Sequence, residues 1–449
     1  MSIRAAAATN RRRLRVAAIG AGSAIWTLRL AQSLLATDLD PGTLVLMDIN
    51  EARLDFVARL IRKFFHDHRA GWQVVRTRSL DKALAGADYI VVTVSLGGDA
   101  AHKRDITTAA RYGALSTIGD TYGVAGISRS LRHVPFIVNL ARRMQELCPD
   151  AWLFNYTNPL TALTQAVSKE TSIKAAGFCH GVANAIATLG PLLGYTSHQE
   201  ASFQVLGVDH CSWLLALRHR GRDLYPEIRR LSTLSHRERL SRCHTEDARR
   251  RVRNHRRCFD LCRDIGYFPT IAENHIVEFF HPFLTAKSDL VRYGYTGGQT
   301  QADIRAARAK QVCAQYEAIL AGKGVYPPPG NDLLARPIAA LEGGEPLVDV
   351  LNYKNTGQAP GFPHGAVVET VCLMDGAGIH PVACGPLPAT VRSLIAQALH
   401  YQALIIEAAM ENDAKKVMAA LLTAPHAVHY DRLSALADEL LRINRPYRA

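Results

Sequence analysis

A cysteine and a histidine thirty-one residues apart, Cys179 and His210, carry the most informative chemistry in this chain. Cys179 stands in Phe178-Cys179-His180-Gly181, shortly after Asn155-Tyr156-Thr157-Asn158-Pro159, and His210 closes Val208-Asp209-His210. A thiolate and an imidazole together can hold a divalent transition metal and leave positions open for a substrate. Each also has an ordinary reading. A free cysteine is most often a small buried hydrophobe, a histidine can be a satisfied core residue, and Asn158-Pro159 is a good turn dipeptide.

The elements that must position these residues read as alternating strand and helix. Arg15 to Ile19 is an apolar strand that runs into Gly20-Ala21-Gly22-Ser23, and a helix follows to about Leu35. A second strand, Thr43 to Met47, ends at Asp48, with a helix over 51–66 and a short strand near Val74. Strands over 88–94, 152–154 and 174–177 complete the pattern of a parallel, doubly wound sheet. In such a sheet the first glycine permits the tight turn and the second lets a pyrophosphate approach a helix N-terminus. Ile25 stands where a third glycine would fall. Gly20, Gly22 and Ser23 are therefore the expected phosphate cradle. Asp48 is placed to accept from ribose hydroxyls, which favours NAD over NADP. Val94 and Asn155, at strand ends, face the same cleft and are expected near the cofactor.

The fold class expected is α/β, with an N-terminal Rossmann-like doubly wound parallel sheet and a C-terminal mixed α+β domain. Residues 1–14 read as a flexible leader, 15–184 as the NAD-binding domain, and 185–449 as a domain for catalysis, substrate and oligomerisation. Long polar helices are expected over 235–264 and 300–320, a Pro/Gly-rich turn over 326–330, and helices in the last hundred residues with a strand over 366–372. No apolar run reaches the ~18–20 residues of a membrane span. The nine cysteines form no CxxC pair and suggest a reducing, cytoplasmic setting. The formal charge of +13 raises nucleic acid as a partner. Its one dense cluster, Arg249-Arg250-Arg251 through Arg257, reads better as a solvated helix face or an oligomer contact, with an anion-attracting entrance for an acidic sugar as the other option.

With these residues in view, the chain resembles the NAD- and manganese-dependent glycosidases of glycoside hydrolase family 4. The likeness rests on Ile19-Gly20-Ala21-Gly22-Ser23, Leu46-Met47-Asp48-Ile49-Asn50, Arg104-Asp105 after Gly97-Gly98, and Ile118-Gly119-Asp120-Thr121. It continues through Asn155-Tyr156-Thr157-Asn158-Pro159, Cys179-His180-Gly181, His210 with Trp213, Gly266-Tyr267-Phe268-Pro269-Thr270 and Val367-Val368-Glu369. The resemblance implies a redox-neutral hydrolysis outside the usual two-carboxylate scheme. NAD takes hydride from C3 of the sugar, the acidified C2 proton is removed, the glycosidic oxygen leaves, water adds, and the hydride returns. A divalent metal, expected to be Mn²⁺, stabilises the charge on the C2 and C3 oxygens.

The same resemblance implies that Cys179 and His210 are the metal ligands, that Asn158 contacts substrate hydroxyls and that Asp120 lies near the sugar. Asp120 has a helix cap as its alternative. Arg104 is expected to bind substrate or to pair with Asp105. The Cys-His-Gly form resembles the branch acting on unphosphorylated α-glycosides and α-uronides. There the His180 imidazole is suited to protonate the leaving oxygen, or to orient the metal or substrate from behind. Family members use a tyrosine as base in the aromatic segment that here spans 267–280. His275 occupies a tyrosine position, so Tyr267 and His275 are both candidates, and core packing is the alternative for Tyr267.

The reading is an enzyme for a small carbohydrate, an α-galacturonide before an α-glucoside or α-galactoside, assembled as a homodimer or homotetramer, with neither nucleic acid nor membrane as partner. A 2-hydroxy-acid dehydrogenase and a non-catalytic NAD-binding sensor are the rival classes.

Overall fold

The computed structural model describes residues 13–330 and 334–448; the leader expected over 1–14 lies outside them apart from Arg13 and Leu14. Short apolar runs form six parallel strands: β1 (Arg15–Ile19), β2 (Thr43–Met47), β3 (Gln73–Thr77), β4 (Tyr89–Val92), β5 (Trp152–Asn155) and β6 (Lys174–Gly177). Their order, β3-β2-β1-β4-β5-β6, is the doubly wound one expected, with the reversal at β1 and β4. Val16 to Ile19 and Tyr89 to Val92 are buried throughout, as strands covered by helices on both faces must be.

The second half adds antiparallel strands to the same sheet. These are β7 (Ala201–Val208), β8 (Cys211–His219), β9 (Arg222–Asp223), β10 (Phe268–Pro269), β11 (Leu347–Lys354), β12 (Val367–Asp375) and β13 (Gly378–Pro381). Beyond β6 the sheet continues β11-β12-β7-β8-β10, with β13 on β12 and β9 on β8. The join is a single antiparallel bridge, Asn352 opposite Gly177. One transverse row therefore crosses the sheet: Thr77, Met47, Ile19, Val92, Asn155, Gly177, Asn352, Glu369, Gly207 and Ser212. Gly20, Asp48, Val94, Cys179, Asp209 and His210 all lie within three residues of it along their own chains.

The expected long helix over 235–264 is three: His236–Ser241, Glu246–Arg253 and Arg256–Ile265. Thr245 explains the first break. Its hydroxyl accepts from the Ala248 amide and starts a new helix, which a threonine does better than it continues one. In the second of these helices Asp247 pairs with Arg250 and Arg251, and Glu246 with Arg249 and Arg253. The dense basic cluster is thus partly neutralised on its own helix. Among the described residues no helix is long and apolar enough to cross a membrane.

Helix Gly123–Leu147 runs behind the site and carries a buried charge, Arg132. Its guanidinium meets Asp105 through two bonds, of 2.6 and 2.9 Å, and also Asn444 Oδ1 at 2.8 Å. Ser128 Oγ donates to Asp105 at 2.6 Å, and Asn444 Nδ2 donates to Ser128 Oγ at 2.8 Å, so the C-terminal helix is tied in. Asp105 is thus the partner of Arg132, whereas Arg104 donates to the Tyr447 hydroxyl, so the two neighbours do not pair with each other. Removing one member strands a buried charge, so Asp105→Ala should cost about 3–5 kcal/mol in urea denaturation. A loss below about 1 kcal/mol would show that this network does not hold the helices together.

Candidate active site

The glycine loop is built around close approaches. Gly20 has φ +87°, and a Cβ there would lie 2.8 Å from the Thr93 carbonyl oxygen. A Cβ on Gly22 would lie 2.6 Å from Asp48 Oδ2, the oxygen that accepts from the Gly22 amide at 2.8 Å. Asp48 Oδ1 accepts from Asn50 N at 2.8 Å. The carboxylate is thereby fixed at the mouth of the loop. Helix Ala24–Leu35 begins at Ser23 without a side-chain cap, which leaves its first amides for an anion. Ile25, where a third glycine would fall, is accommodated in its first turn. Ile49, next to Asp48, is 76% exposed, an apolar surface beside a ribose-binding position.

The loops after β4 and β5 brace one another. Val94 N donates to Thr157 Oγ1 at 3.0 Å, and Thr157 N to Asn155 Oδ1 at 2.9 Å. The Asn155 side chain is fully buried and bonded within its own loop, so its contribution to the cleft is the shape of that loop. Leu96 is held on both sides: its amide donates to His133 Nε2 at 3.1 Å and its carbonyl accepts from Arg132 Nε at 3.0 Å. Arg104 donates to the Tyr447 hydroxyl at 2.9 Å and lies over that ring, which packs on Gly97.

Cys179 and His210 are brought together as expected, with Asp209 between them. One ligand atom from each of the three lies within 4.8 Å of the others. Asp209 and His210 form the two-residue turn between β7 and β8, and His210 adopts φ +67°, an uncommon conformation for a residue with a Cβ. Thr121 Oγ1 donates to Asp120 Oδ1 at 2.9 Å, so at its 2.9 Å contact with His210 Nδ1 it accepts. His210 Nδ1 thus carries the proton, and the Nε2 lone pair faces Asp209 Oδ2 at 3.4 Å. Burial holds the His210 pKa well below the ordinary value, which keeps the ring neutral, the form that binds metal.

Asp209 is fully buried; the Cys179 thiol and His210 Nε2 stand beside its oxygens, and neither makes a well-formed hydrogen bond to them. Burying a carboxylate this way is costly unless something positive faces it. Its carboxyl is pushed up by burial and by Glu369, and the Cys179 thiol is pushed up by burial, Asp209 and Glu369. A divalent cation among thiolate, carboxylate and imidazole would supply the charge this set lacks, and the donors suit zinc or manganese chemistry. Behind the turn Asp209 N donates to Thr161 Oγ1 at 2.8 Å, and Thr161 bonds Asn352. Asn352 Nδ2 donates to Glu369 at 3.1 Å, and Ser212 donates to the other Glu369 oxygen.

A second convergence shares His210. Asp120, His210 and His275 offer ligand atoms within the same reach, and the two imidazole rings are 4.1 Å apart. Burial lowers the His275 pKa to about 4, and its Nδ1 is buried without a partner. Burial raises the Asp120 carboxyl, but the combined pull of Arg305, His275, His210 and Arg129 prevails and holds it well below the usual range. His180 is exposed at the N-terminus of helix Gly181–Leu193. Asn158 is half-buried, and its carbonyl accepts from Arg129 Nε at 2.8 Å. Tyr267 is not brought to this cluster. It precedes β10 on the side away from Thr270 and packs against Tyr225, with ring centroids 6.1 Å apart.

Sequence reasoning missed Asp209, Arg129, Arg305 and the loop holder Glu278. Asp209 was adjacent to the histidine in plain view. The arginines sit on helices distant in sequence, and no local pattern marks them. Glu278 Oε1 accepts from the amides of Thr117, Ile118 and Gly119 at 2.8, 2.7 and 2.9 Å, which fixes the loop that presents Asp120.

A family model described as Family 4 glycosyl hydrolase matches residues 15–193, and one described as Family 4 glycosyl hydrolase C-terminal domain matches residues 205–427. An α-galactosidase of Bacillus subtilis is 31% identical over 416 residues, covering 91% of this chain and 92% of that protein. An α-galacturonidase of Thermoanaerobacterium saccharolyticum is 28% identical over 426 residues, 91% of each chain. A solved 6-phospho-α-glucosidase from gut microorganisms, in complex with NAD and Mn²⁺, has the same fold. Its TM-score is 0.79 at 19% identity, over 97% of this chain and 99% of that one.

Glu278 gives a pH-dependent test. Burial raises its carboxyl from the ordinary 4.5 to about 7 despite the three amides. A carboxyl raised in the folded state stabilises fully below about pH 4.5, and the contribution is lost as pH rises through 7. Glu278→Gln keeps the acceptor oxygen and removes the titration. Between pH 5 and pH 8 its stability relative to wild type should therefore rise by about 3 kcal/mol in urea denaturation. Glu278→Ala strands three amides and should cost about 2–4 kcal/mol at either pH. A Gln variant whose stability tracks wild type at both pH values would contradict this account.

Proposed function

Because the chain belongs to glycosyl hydrolase family 4, and is a glycosidase by that membership, we propose that it hydrolyses terminal α-linked galacturonides with NAD and a divalent cation, Mn²⁺ foremost. One observation carries the cofactor part of this reading: the buried Asp209 carboxylate without a well-formed hydrogen bond, grouped with Cys179 and His210 beside the same transverse row of the sheet that leads into the glycine loop. The uronide preference rests on Cys179-His180-Gly181 and Tyr267-Phe268-Pro269-Thr270, and it is in keeping with a relative named α-galacturonidase. The relative named α-galactosidase supports the neutral α-galactoside as the second reading. Membership of a glycosidase family removes the reason for the hydroxy-acid dehydrogenase reading.

In this proposal Gly20, Gly22 and Ser23 hold the pyrophosphate and Asp48 the adenosine ribose, while the loops at Val94 and Asn155 shape the nicotinamide end. Cys179, His210 and Asp209 would hold the cation. Bound NAD supplies a reversible hydride acceptor for the sugar, and the cation supplies positive charge to its oxygens. Asn158 binds sugar hydroxyls. His275, neutral because burial holds its pKa near 4, has a buried Nδ1 lone pair or proton without a partner and is assigned the removal of the C2 proton. Tyr267, packed against Tyr225, is not assigned a chemical role. His180, at the exposed rim, is assigned protonation of the leaving oxygen. Asp120 orients His210 through the Thr121 hydroxyl and stays ionised beside His275. Arg104, whose Nη2 donates to Tyr447 beside Gly97, supports that loop and keeps further donors for a sugar hydroxyl.

The test uses p-nitrophenyl α-galacturonide and α-galactoside with NAD, Mn²⁺ and a thiol. Sugar should be released without accumulation of NADH, and chelation or removal of NAD should abolish release. Cys179→Ser should lower kcat/KM by about 100-fold or more, as loss of a ligand or its support does elsewhere. Full activity after complete removal of NAD would sink the proposal.

A further inference from the structure

The charges around the sugar side of the site do not balance. Arg129, Arg305 and Asp120 meet beside the two histidines, with Arg132 and Asp105 buried behind them and Glu278 committed to the amides of the Thr117–Gly119 loop. Arg132 and Asp105 neutralise each other through two short bonds. That leaves Arg129 and Arg305 with Asp120 alone. Cys179 and Asp209 are set apart from this count, because the cation they would hold would take up their charge.

The two remaining arginines are held in different ways. Arg129 is 7% exposed, and its Nε is committed to the Asn158 carbonyl, so its guanidinium is fixed beside a residue expected to meet the sugar. Burial, with Arg132 beside it, lowers its pKa to about 10, while Asp120 and Asp105 pull the other way. Arg305 comes from helix Gly298–Leu320, and its side chain is 45% exposed. Both of its terminal nitrogens lie 3.5 Å from the same oxygen, Asp120 Oδ2, at the outer limit of a hydrogen bond. The nearby acid on its own helix, Asp303, is taken by Lys103 at 2.7 Å. Arg305 is thus loosely held, faces the Asp120–His275 cluster and keeps donors to spare.

We infer that Arg129 and Arg305 form an anion-reading subsite that binds the C6 carboxylate of a uronide and so sets the preference over neutral hexosides. The inference rests on the proposed glycosidase reading and names its specificity residues. A carboxylate matches the surplus of one positive charge and can accept from a guanidinium in the two-bond geometry arginine favours. A hydroxymethyl group at C6 would leave the surplus in place. A phosphate, with nearly two charges, would overshoot it.

The experiment has two arms. In the first, wild type is assayed with NAD and Mn²⁺ on p-nitrophenyl α-galacturonide, α-galactoside and α-galactoside 6-phosphate. Preference for the galacturonide is expected. Cleavage of the galactoside alone, or preference for the phosphate, would overturn the uronide reading itself. In the second arm Arg305→Gln should lower the galacturonide-to-galactoside ratio of kcat/KM by about 30- to 100-fold, the loss typical of one charged hydrogen-bonding partner. The change should appear mainly in KM, and Arg305→Lys should recover part of it. Arg129→Lys should shift the ratio the same way. Unaltered NAD binding and thermal melting would show that the variants are folded. A wild type that cleaves the galacturonide, with variants that lose both substrates equally or neither, would overturn the subsite and leave the glycosidase reading standing.

Discussion

The site depends on one seam, the bridge between Gly177 and Asn352 that joins the parallel half of the sheet to the antiparallel half. The close packing there requires glycine: a Cβ on Gly177 would lie 2.7 Å from Thr164 Oγ1 and 3.0 Å from the Asn352 Cβ. Two residues later the first strand system delivers Cys179. Two strands beyond Asn352 the second delivers Asp209 and His210. A shift of register at the seam would move the thiol relative to the imidazole by a strand residue, about 3.3 Å, more than a metal site tolerates.

The row that continues from this seam is polar where a sheet interior is ordinarily apolar. Asn352 on β11, Glu369 on β12 and Ser212 on β8 are buried side chains, the last two meeting across Gly207 of β7, and each satisfies the next. Their chain begins at the Asp209 amide, passes Thr161 and ends at Thr270, which exchanges a 2.6 Å bond with Ser212. Such a network is costly when any member is left without a partner. It fixes the Asp209–His210 turn from behind by its backbone, while the Asp209 carboxylate in front stays unsatisfied. The protein therefore spends its hydrogen bonds on holding the ligands and withholds them from the ligand atom itself.

Much of the first half was legible because its signals are local. The Gly20–Gly22 turn, the carboxylate of Asp48 closing a strand and the apolar runs of β1, β2, β4 and β6 each announce themselves within a few residues. Cys179 and His210 were legible as types with metal chemistry. What joins them was not. β7, β8 and β11 pair with partners far along the chain, and the bridge at Asn352 depends on a glycine in a strand that reads as ordinary. The helix expected over 235–264 failed because Thr245 and His255 interrupt a pattern whose polar face continues smoothly across them. Tyr267 and His275 stand eight residues apart, yet only the second reaches the cluster: β10 commits the first to the core beside Tyr225. Arg104 and Asp105 are neighbours in sequence with separate partners, the Tyr447 hydroxyl and the Arg132 guanidinium.

The division between neutralised and unneutralised charge follows the same geometry. Arg132 and Asp105 lie deep between three helices, where an isolated charge is intolerable, and they cancel at close range. Asp120 lies beside Arg305 and Arg129 without a close ionic bond to either, and next to the neutral rings of His275 and His210. Its ionised state is secured by the two guanidiniums together, so no single partner has to surround it. A carboxylate held in this manner can orient His210 through Thr121 while the surrounding cations remain available to whatever enters. The loop that presents it, pinned through three amides by Glu278, is fixed independently of those cations. Position and charge are thus set by separate parts of the fold, which allows the electrostatics of the sugar side to be tuned without displacing the residues that do the chemistry.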